Sequence, residues 1–436
     1  MTLICLFLFT IFSVGKALVP PSETFEYVNE GELGPYITEY GGDYRVLPLA
    51  EAQFQLCFYN TTPNAYTLAL RMGLSKSESL RRWVWEANRG NPVKENATLT
   101  FGRDGNLVLA DVDGRIAWQT DTANKGVTGF KVLPNGNMVL HDAKGNFIWQ
   151  SFDYPTDTLL VGQSLRLGGA TKLVSRASAL NNSDGAYSLV MESKSLVLYY
   201  KGPNTPKPIL YFNPEFWVNI RKGPLEYVTF GSTPEDEGTA YGLYLSFQGY
   251  NSSLGGSLRI GRPNYNSTLS FLRLQMDGNL KVYTYYDPVF DSAWDETFTL
   301  FKRDGTWDDE CQLPERCGKF GLCEDSQCVA CPSPNGLMGW SKDCEVKKLR
   351  SCNENDFYYY KLEGVDHFMT RYTRGNGVKE DECGRKCSRD CKCLGYFYNQ
   401  ETSRCWVAYD LKTLKRVANS TQVAYIKAPK AVVSWE

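Results

Sequence analysis

Four polar side chains at alternating positions, Gln275, Asp277, Asn279 and Tyr283, form the clearest set in this sequence that could do chemistry. Alternate residues of a β-strand point to the same face, so these side chains would line one groove. A carboxylate accepts hydrogen bonds, amides both donate and accept them, and tyrosine adds a hydroxyl on a flat apolar ring. This combination suits the hydroxyl groups and the ring face of a sugar.

Two earlier stretches carry a shorter version of the same pattern. Their polar and apolar residues at alternating positions are Asp104, Asn106 and Val108, and Asn135, Asn137 and Val139. Asp-Gly-Asn and Asn-Gly-Asn also make good hairpin turns without any ligand, because they accept positive φ angles. The sequence therefore leaves two interpretations open for each stretch, a sugar site or a turn alone.

Other chemistries lack the residues that they need. The chain has two histidines, His141 and His367, and neither lies in a recognisable catalytic sequence. The acidic run 308–310 indicates a solvated loop, and no glycine-rich phosphate loop is present. With 47 basic and 49 acidic residues there is no basic field for nucleic acid. We expect no enzyme, no catalytic residues, no cofactor, no metal and no nucleic-acid partner.

The elements that must position these residues are short strands. Apolar alternation and glycine turns recur from about residue 18 to 155, and aromatic residues make up 14% of the chain, which favours an all-β fold. Two units ending at Trp118 and Trp149 repeat at a spacing of 31 residues. One unit cannot bury its tryptophan alone, so we predict that the repeats pack around a shared axis.

Two longer motifs point to a family. Residues 149–163 read WQSFDYPTDTLLVGQ and residues 85–92 read WEANRGNP. In this order and spacing they resemble the S-locus glycoprotein / bulb-type (mannose-binding) lectin family of plants, over nearly the whole mature chain. In layout the chain is closest to the secreted, epidermis-specific members that lack a kinase.

The resemblance implies an all-β fold with two tandem bulb-lectin β-prism domains, followed by a disulfide-rich EGF-like module and a small α+β PAN/apple domain. The expected boundaries are a signal peptide at 1–17, lectin domains at 18–165 and 166–305, the EGF-like module at 306–349 and the PAN domain at 350–430.

The family's sugar site follows the pattern Gln-x-Asp-x-Asn-x-Val-x-Tyr. The stretch 275–283 matches it except for Lys281 at the valine position, where the lysine either blocks the sugar or pairs with Asp277. The first stretch has Gly102 and Ala110 in place of glutamine and tyrosine, and the second has Leu133, Asn135 and His141 at the departing positions. An equivalent expected near residues 54–59 keeps no polar set.

Twelve cysteines crowd between Cys311 and Cys405, which predicts disulfides in an oxidising compartment. A zinc site at the closely spaced cysteines would need a reducing compartment and further ligands. The resemblance implies the pairs Cys311–Cys323, Cys317–Cys328, Cys331–Cys344, Cys383–Cys405, Cys387–Cys393 and Cys352–Cys391. A short helix is expected over residues 379–389. Cys57 is interpreted as a buried small residue, with an intermolecular disulfide as the alternative.

The first 17 residues are mostly apolar and indicate a secretory signal peptide, with a short membrane anchor as the alternative. Neither a later transmembrane segment nor a lipid-anchor signal is expected. Six glycosylation sequons fit a secreted glycoprotein: Asn60, Asn96, Asn181, Asn251, Asn266 and Asn419.

The sequence is compatible with two functions. The first is a secreted glycoprotein of the apoplast or cell wall that binds mannose-type glycans. The alternative is a protein-interaction glycoprotein that acts through its PAN and EGF-like parts, with the lectin domains as scaffold.

Overall fold

A computed structural model describes residues 18–51, 53–214, 217–218, 223–234, 241–261, 269–285, 294–349 and 351–430. The expected signal peptide at 1–17 and the sequon at Asn266 lie outside these residues. In the described part, strands dominate, and the fold is all-β with one short α-helix.

The first unit is built from three antiparallel sheets. Its strands are β1 (Phe25–Val28), β2 (Asp43–Glu51), β3 (Phe54–Asn60), β4 (Tyr66–Met72), β5 (Arg82–Glu86), β6 (Thr98–Phe101), β7 (Leu107–Ala110), β8 (Ile116–Gln119), β9 (Gly129–Val132), β10 (Met138–His141) and β11 (Phe147–Gln150). The sheet orders are β1-β6-β7-β8, β2-β3-β4-β5 and β11-β10-β9. Gly105 and Gly136 make the tight turns before β7 and β10, with φ values of 81° and 84° that favour glycine.

Three tryptophans meet on the axis between these sheets. Trp85, Trp118 and Trp149 come one from each sheet, and their rings pack edge to face with centroids 5.8 to 6.3 Å apart. Such edge-to-face contacts suit aromatic rings because the positive edge of one meets the negative face of another. The predicted packing of the repeats around a shared axis is confirmed, and the unit is a three-sided β-prism.

The second unit repeats the three-sheet plan with longer strands. They are β12 (Thr158–Leu160), β13 (Ser164–Arg166), β14 (Lys172–Arg176), β15 (Asp184–Met191), β16 (Leu196–Tyr200), β17 (Ile209–Phe212), β18 (Leu225–Pro234), β19 (Tyr241–Gly249), β20 (Ser253–Gly261), β21 (Ser270–Leu274), β22 (Leu280–Tyr285) and β23 (Trp294–Thr299). The described sheets have the orders β12-β21-β22-β23, β13-β18-β19-β20 and β14-β15-β16-β17.

The expected domain boundary at residue 165 is displaced. Strand β12 pairs with β21, and β13 pairs with β18, so residues 158–166 complete sheets of the second unit. The first unit therefore ends before Thr158. The sequence suggested a boundary at 165 because the apolar run at 158–161 follows the strands of the first unit without a break. The strands that it pairs with lie far along the chain, so the sequence does not reveal them.

The C-terminal region has a two-stranded parallel sheet, a mixed five-stranded sheet, an antiparallel five-stranded sheet and the helix. Its elements are β24 (Phe301–Lys302), β25 (Asp308–Asp309), β26 (Phe320–Glu324), β27 (Gln327–Ser333), β28 (Gly336–Gly339), β29 (Phe357–Glu363), β30 (Val365–His367), β31 (Asn376–Gly377), α1 (Glu380–Ser388), β32 (Gly395–Asn399), β33 (Arg404–Ala408), β34 (Lys412–Arg416) and β35 (Gln422–Pro429). Helix α1 agrees with the prediction for 379–389. Short 3-10 helices lie at Glu39–Gly41, Ser75–Leu80, Ser151–Asp153, Tyr250–Ser252, Glu310–Gln312 and Glu354–Asp356.

The EGF-like and PAN parts share one sheet, of order β28-β27-β26-β34-β30. Strand β26 runs parallel to β34, with Phe320 opposite Lys412. The expected boundary at 349/350 therefore divides a single five-stranded sheet. The two parts form one folded body across that point.

Six disulfides tie this region together, and they are the pairs that the resemblance implies. They join Cys311–Cys323, Cys317–Cys328, Cys331–Cys344, Cys352–Cys391, Cys383–Cys405 and Cys387–Cys393. Cys383 and Cys387 lie on the buried side of α1, one turn apart, so the helix is clipped to β33 and to the following loop. Cys57 is fully buried and free, which agrees with the first interpretation and leaves its sulfur out of reach of another chain.

The apolar cores do not follow the unit boundaries. The core of the first prism takes in Phe271, Tyr285 and Trp294 from β21, β22 and β23 of the second. A second core runs from the second prism into the C-terminal region, where it includes Phe320 and Phe397. The three parts are thus packed as one molecule.

Candidate functional site

The first stretch, which leads into β7, uses its polar side chains to hold its own turn. Asp104 Oδ1 accepts the backbone N–H of Asn106 at 3.1 Å. The Asn106 side chain is 8% exposed and donates to Gln119 Oε1 at 3.1 Å. Its oxygen accepts from the Thr120 hydroxyl and the Thr122 N–H, both at 3.0 Å. The amide therefore has its partners inside the protein, and it fixes the chain beyond β8.

The outer face of β7 carries small and apolar residues where a sugar would lie. Val108 stands between Thr100 and Gln119, and Ala110 pairs with Thr98 on one side and Ile116 on the other. Ile116 is largely exposed. With alanine at the tyrosine position, this face lacks the tyrosine hydroxyl of the family pattern.

The second stretch repeats the buried amide. Asn135 Oδ1 accepts the Asn137 N–H at 3.1 Å, and the Asn137 side chain, 4% exposed, donates to Gln150 Oε1 at 2.8 Å. The Asn137 oxygen accepts from the Ser151 hydroxyl at 3.3 Å and from the Phe152 N–H at 3.2 Å. Asn137 thus ties β10 to the chain after β11, as Asn106 does one repeat earlier.

An open groove of about 460 Å³ lies on the outer face of this sheet, and we call it the outer groove. Its lining residues are Thr128, Lys131, Leu133, Val139, His141, Asp142, Ala143, Lys144, Gly145 and Phe147. Val139, fully buried, forms the floor, and Phe147, 49% exposed, forms a wall beside His141. Three of these residues, Leu133, Val139 and His141, occupy positions of the family's sugar pattern.

The orientation of His141 follows from its hydrogen bond. Its Nδ1 lies 3.0 Å from the Asp142 carbonyl oxygen, which can only accept, so Nδ1 carries the proton. In the neutral ring Nε2 is then an acceptor. It lies over Gly129, where a side chain would come within 2.8 Å of it, so the glycine leaves the imidazole its place in the groove.

The third stretch has the fullest pattern but the least open face. Tyr283 stacks on Phe271, with ring centroids 5.2 Å apart, and Phe271 belongs to the core of the first prism. Arg273, opposite Lys281 on this face, is buried and donates to Glu39 Oε1 at 2.7 Å in the first unit. The face that should receive a sugar is packed against the other prism.

Lys281 does not pair with Asp277, which was one expectation for it. Its ammonium group is 2.9 Å from Glu296 Oε2 on β23. Burial acts to lower the pKa of Lys281, but the hydrogen bonds to Glu296 and the nearby charges outweigh it, so the pKa is raised and the ammonium stays charged. The lysine stem covers the position where valine would touch the sugar.

Two other polar residues of this stretch, Asp277 and Asn279, are engaged in hydrogen bonds within the protein. Asp277 Oδ1 accepts the Asn279 N–H at 2.9 Å, and the buried Asn279 side chain exchanges hydrogen bonds with the Phe301 backbone at 3.0 and 3.1 Å. Gln275 Nε2 is buried and has no partner among the described residues. The three asparagines therefore share one structural role.

The sheet β2–β5, where no polar set was expected, has a polar outer face that is covered by the second unit. Arg176 donates to Glu86 Oε1 at 2.9 Å and to the Tyr59 hydroxyl at 2.7 Å. Burial raises the pKa of Glu86 most strongly, while Arg176 and Arg89 oppose that rise. This face joins the two prisms, and Tyr59 and Arg176 also line a pocket of about 250 Å³ there.

The sequence missed Lys131, Lys144 and Phe147 as lining residues. Lys131 lies directly opposite Val139, and Phe147 lies opposite His141. The Asn-Gly-Asn turn fixes the register of β9 with β10, so Lys131 could have been found by counting back from the turn. Phe147 lies on the next strand, where a bulge shifts the register.

One sequon is not suited to a glycan. Asn60 is only 7% exposed at the end of β3, between Asp43 and Tyr66 of the neighbouring strands, so the structure leaves no room there for the expected sugar. Asn96, Asn181, Asn251 and Asn419 are exposed. Among the described residues, no group of three or more possible ligands could hold a metal ion. No helix in the described ranges is long and apolar enough to cross a membrane.

Comparisons with known proteins agree with this architecture. A family model described as D-mannose binding lectin matches residues 82–181, which contain the first two stretches. EP1-like glycoprotein 3 of Arabidopsis thaliana is 55% identical over 433 residues, covering 99% of this chain and 98% of the relative. The epidermis-specific secreted glycoprotein EP1 of Daucus carota is 59% identical over 362 residues, covering 80% of this chain and 93% of the relative.

Among solved structures, the two-domain fetuin-binding agglutinin of Scilla campanulata is 14% identical over 61% of this chain and 99% of that one, with a TM-score of 0.21.

Proposed function

The chain belongs to the family of EP1-like glycoproteins, and from this premise we propose that it is a secreted carbohydrate-binding glycoprotein that holds a glycan in the outer groove. The carrot relative is named as a secreted glycoprotein, and the family model is described as a D-mannose binding lectin. Mannose-type glycans are accordingly the first ligands to test, and the apoplast or cell wall is the proposed location. The proposed role is a binding function without catalysis.

The single observation that carries the proposal is that one of the three patterned strands keeps an open, apolar-floored groove. Phe147 supplies an exposed aromatic wall above the buried Val139, and His141 Nε2 supplies an acceptor for a hydroxyl. Sugar sites combine such an apolar surface for the ring with a few fixed polar groups for the hydroxyls. The stretch 275–283 is not proposed as a site, because Arg273 and Phe271 on its face are buried against the first prism.

A glycan array followed by calorimetric titration tests this proposal. We expect wild type to bind at least one glycan, and Phe147→Ala to weaken that binding roughly tenfold, because the wall of the groove is lost. Tyr227→Ala is the matched control, since Tyr227 is a half-exposed aromatic residue on β18 of the second unit.

Two further variants separate the groove from the fuller pattern. Asp277→Ala and Lys281→Val should leave glycan binding unchanged, although the second restores the family's valine. Binding that Asp277→Ala abolishes, or no binding by wild type at millimolar glycan, would contradict the proposal.

A second candidate function, docking of a protein partner on the C-terminal region, is favoured by one observation. An apolar groove of about 360 Å³ lies between the EGF-like and PAN parts, and its lining includes Phe320, Met338, Val346 and Tyr360. Leu337 and Met338 on the edge strand β28 are exposed beside it. This function would be favoured if the wild-type protein binds no glycan but binds a cell-wall protein, and if Met338→Asp abolishes that protein binding.

A further inference from the structure

The outer groove carries more positive than negative charge. Lys131 and Lys144 line it, and Asp142 is the acidic residue among its lining residues. Lys131 stands on β9 directly opposite the floor residue Val139 and is exposed. Its ammonium group makes no salt bridge within the described part of the chain.

The Asp142 carboxylate is already engaged by its own turn. Oδ1 accepts the N–H groups of Lys144 at 2.9 Å and Asn146 at 2.8 Å, and Oδ2 accepts from the Asn146 side chain at 2.9 Å. These bonds, with the Lys144 charge, hold the pKa of Asp142 below its usual range. The negative charge therefore stabilises the β10–β11 turn, and its lone pairs are directed toward that turn.

The second stretch also differs from the other two in charge. Aspartates stand at 104 and 277, but the equivalent residue before β10 is the neutral Asn135. A carboxylate at that position would repel an anionic ligand lying along β10. The neutral amide of Asn135 and the two lysines both make the surface along β10 less negative.

We propose that the outer groove prefers a hexuronic acid, a sugar whose ring bears a carboxylate, over a neutral hexose. This inference rests on the proposed function, because it names the class of sugar that the same groove takes. The apolar face of the ring packs against Phe147, above the buried Val139, and His141 Nε2 accepts a ring hydroxyl. The carboxylate at the rim of the ring lies between the ammonium groups of Lys131 and Lys144, which donate charge-assisted hydrogen bonds.

The test compares two probes of equal length on the full secreted protein, a tetramer of galacturonic acid and a neutral mannose tetramer. At 50 mM salt we expect the acidic tetramer to bind more tightly, and at 300 mM salt we expect that advantage to shrink, because screening weakens exposed charge pairs. Lys131→Gln should weaken the acidic probe roughly two- to fivefold, and Lys131→Gln with Lys144→Gln roughly five- to twentyfold. Neither should weaken the neutral probe.

Lys172→Gln is the charge-matched control, since Lys172 is an exposed lysine on β14 in the second unit. Equal affinity for the two probes, or a loss of acidic-probe binding that Lys172→Gln reproduces, overturns the inference. If the neutral tetramer binds and Phe147→Ala weakens it while the acidic tetramer does not bind, the proposed function stands and this inference falls. If neither probe binds, this inference falls, and the glycan array decides the proposed function separately.

Discussion

At the scale of single residues, the asparagine of each sugar-type pattern has a structural role and not the sugar-binding role that the pattern suggests. Asn106, Asn137 and Asn279 fit a sugar-binding motif by spacing, yet each is buried at 8, 4 and 4% exposure. Each amide accepts a backbone N–H from the chain beyond the next strand. Sequence alone leaves the turn and the sugar interpretations open because both need a polar, turn-compatible side chain there.

This role predicts a difference between neighbours. Asn137→Ala should lower the free energy of unfolding by about 1–3 kcal/mol, because the Phe152 N–H loses its acceptor in a buried setting. Asn135→Ala should cost less, since Asn135 is exposed and holds only its own turn. Chemical denaturation of the two variants checks this. Equal and small effects would mean that Asn137 is not a structural clamp.

His367 predicts a pH dependence. Its side chain is 2% exposed between Phe368 and Phe397, and burial lowers its pKa from 6.5 to about 3, only partly opposed by neighbouring backbone. The unfolded chain therefore binds a proton below about pH 6.5 while the folded chain does not. Stability from this group is complete above pH 6.5 and falls as the pH drops toward 3, by on the order of 3 kcal/mol at pH 4.

Denaturation at pH 7 and pH 4 tests that dependence. His367→Gln removes the titrating ring, so it should lose less stability between the two pH values than wild type. His141→Gln, at the half-exposed histidine of the outer groove, keeps the His367 ring and is the control. Parallel pH profiles for wild type and His367→Gln would contradict the account.

At the scale of elements, local pattern predicted strands well. Short strands between glycine turns were expected from about residue 18 to 155, and β1 to β11 lie within that range. Register and sheet partners were harder, because they depend on residues far apart. The run at 158–166 looked like the end of the first prism and instead pairs with β18 and β21.

For the candidate site as well, local pattern was predictable and long-range packing was not. The three patterned strands could be found from the sequence, but which of them stays open depends on what packs against it. On β10 the neighbouring strands contribute Lys131 and Phe147 and leave a groove. On β22 the neighbouring strands contribute Arg273 and Glu296, and the first prism covers the face. The fullest of the three patterns is thus closed in the fold, and a less complete one is open.

At the scale of the whole molecule, the two prisms are joined by buried charge as well as by a shared core. Arg273 pairs with Glu39, and Arg176 pairs with Glu86, across the interface. The first core also includes Trp294 of the second unit, whose indole N–H donates to the Leu80 carbonyl at 2.6 Å. Separating the prisms would expose buried charged and apolar side chains of both.

Disrupting this interface should therefore loosen both prisms. Arg176→Met leaves Glu86 buried with Arg89 as its remaining cation, at a cost of about 3 kcal/mol. Hydrogen exchange should become faster in β7–β11 as well as in β14–β17. Arg166→Met, which removes a more exposed arginine paired with Asp153, is the matched control and should change neither. Acceleration confined to the second unit would show that the prisms are stabilised separately.

The central claim, that the outer groove holds the glycan, has a direct test because the chain contains two histidines. His141 lies in the groove, and His367 is buried in the C-terminal region. In protein labelled selectively at histidine, nuclear magnetic resonance follows both rings while a glycan that binds is added to saturation. The account predicts that the His141 resonances shift and that those of His367 remain in place. Saturation of binding with no change at His141 would contradict it.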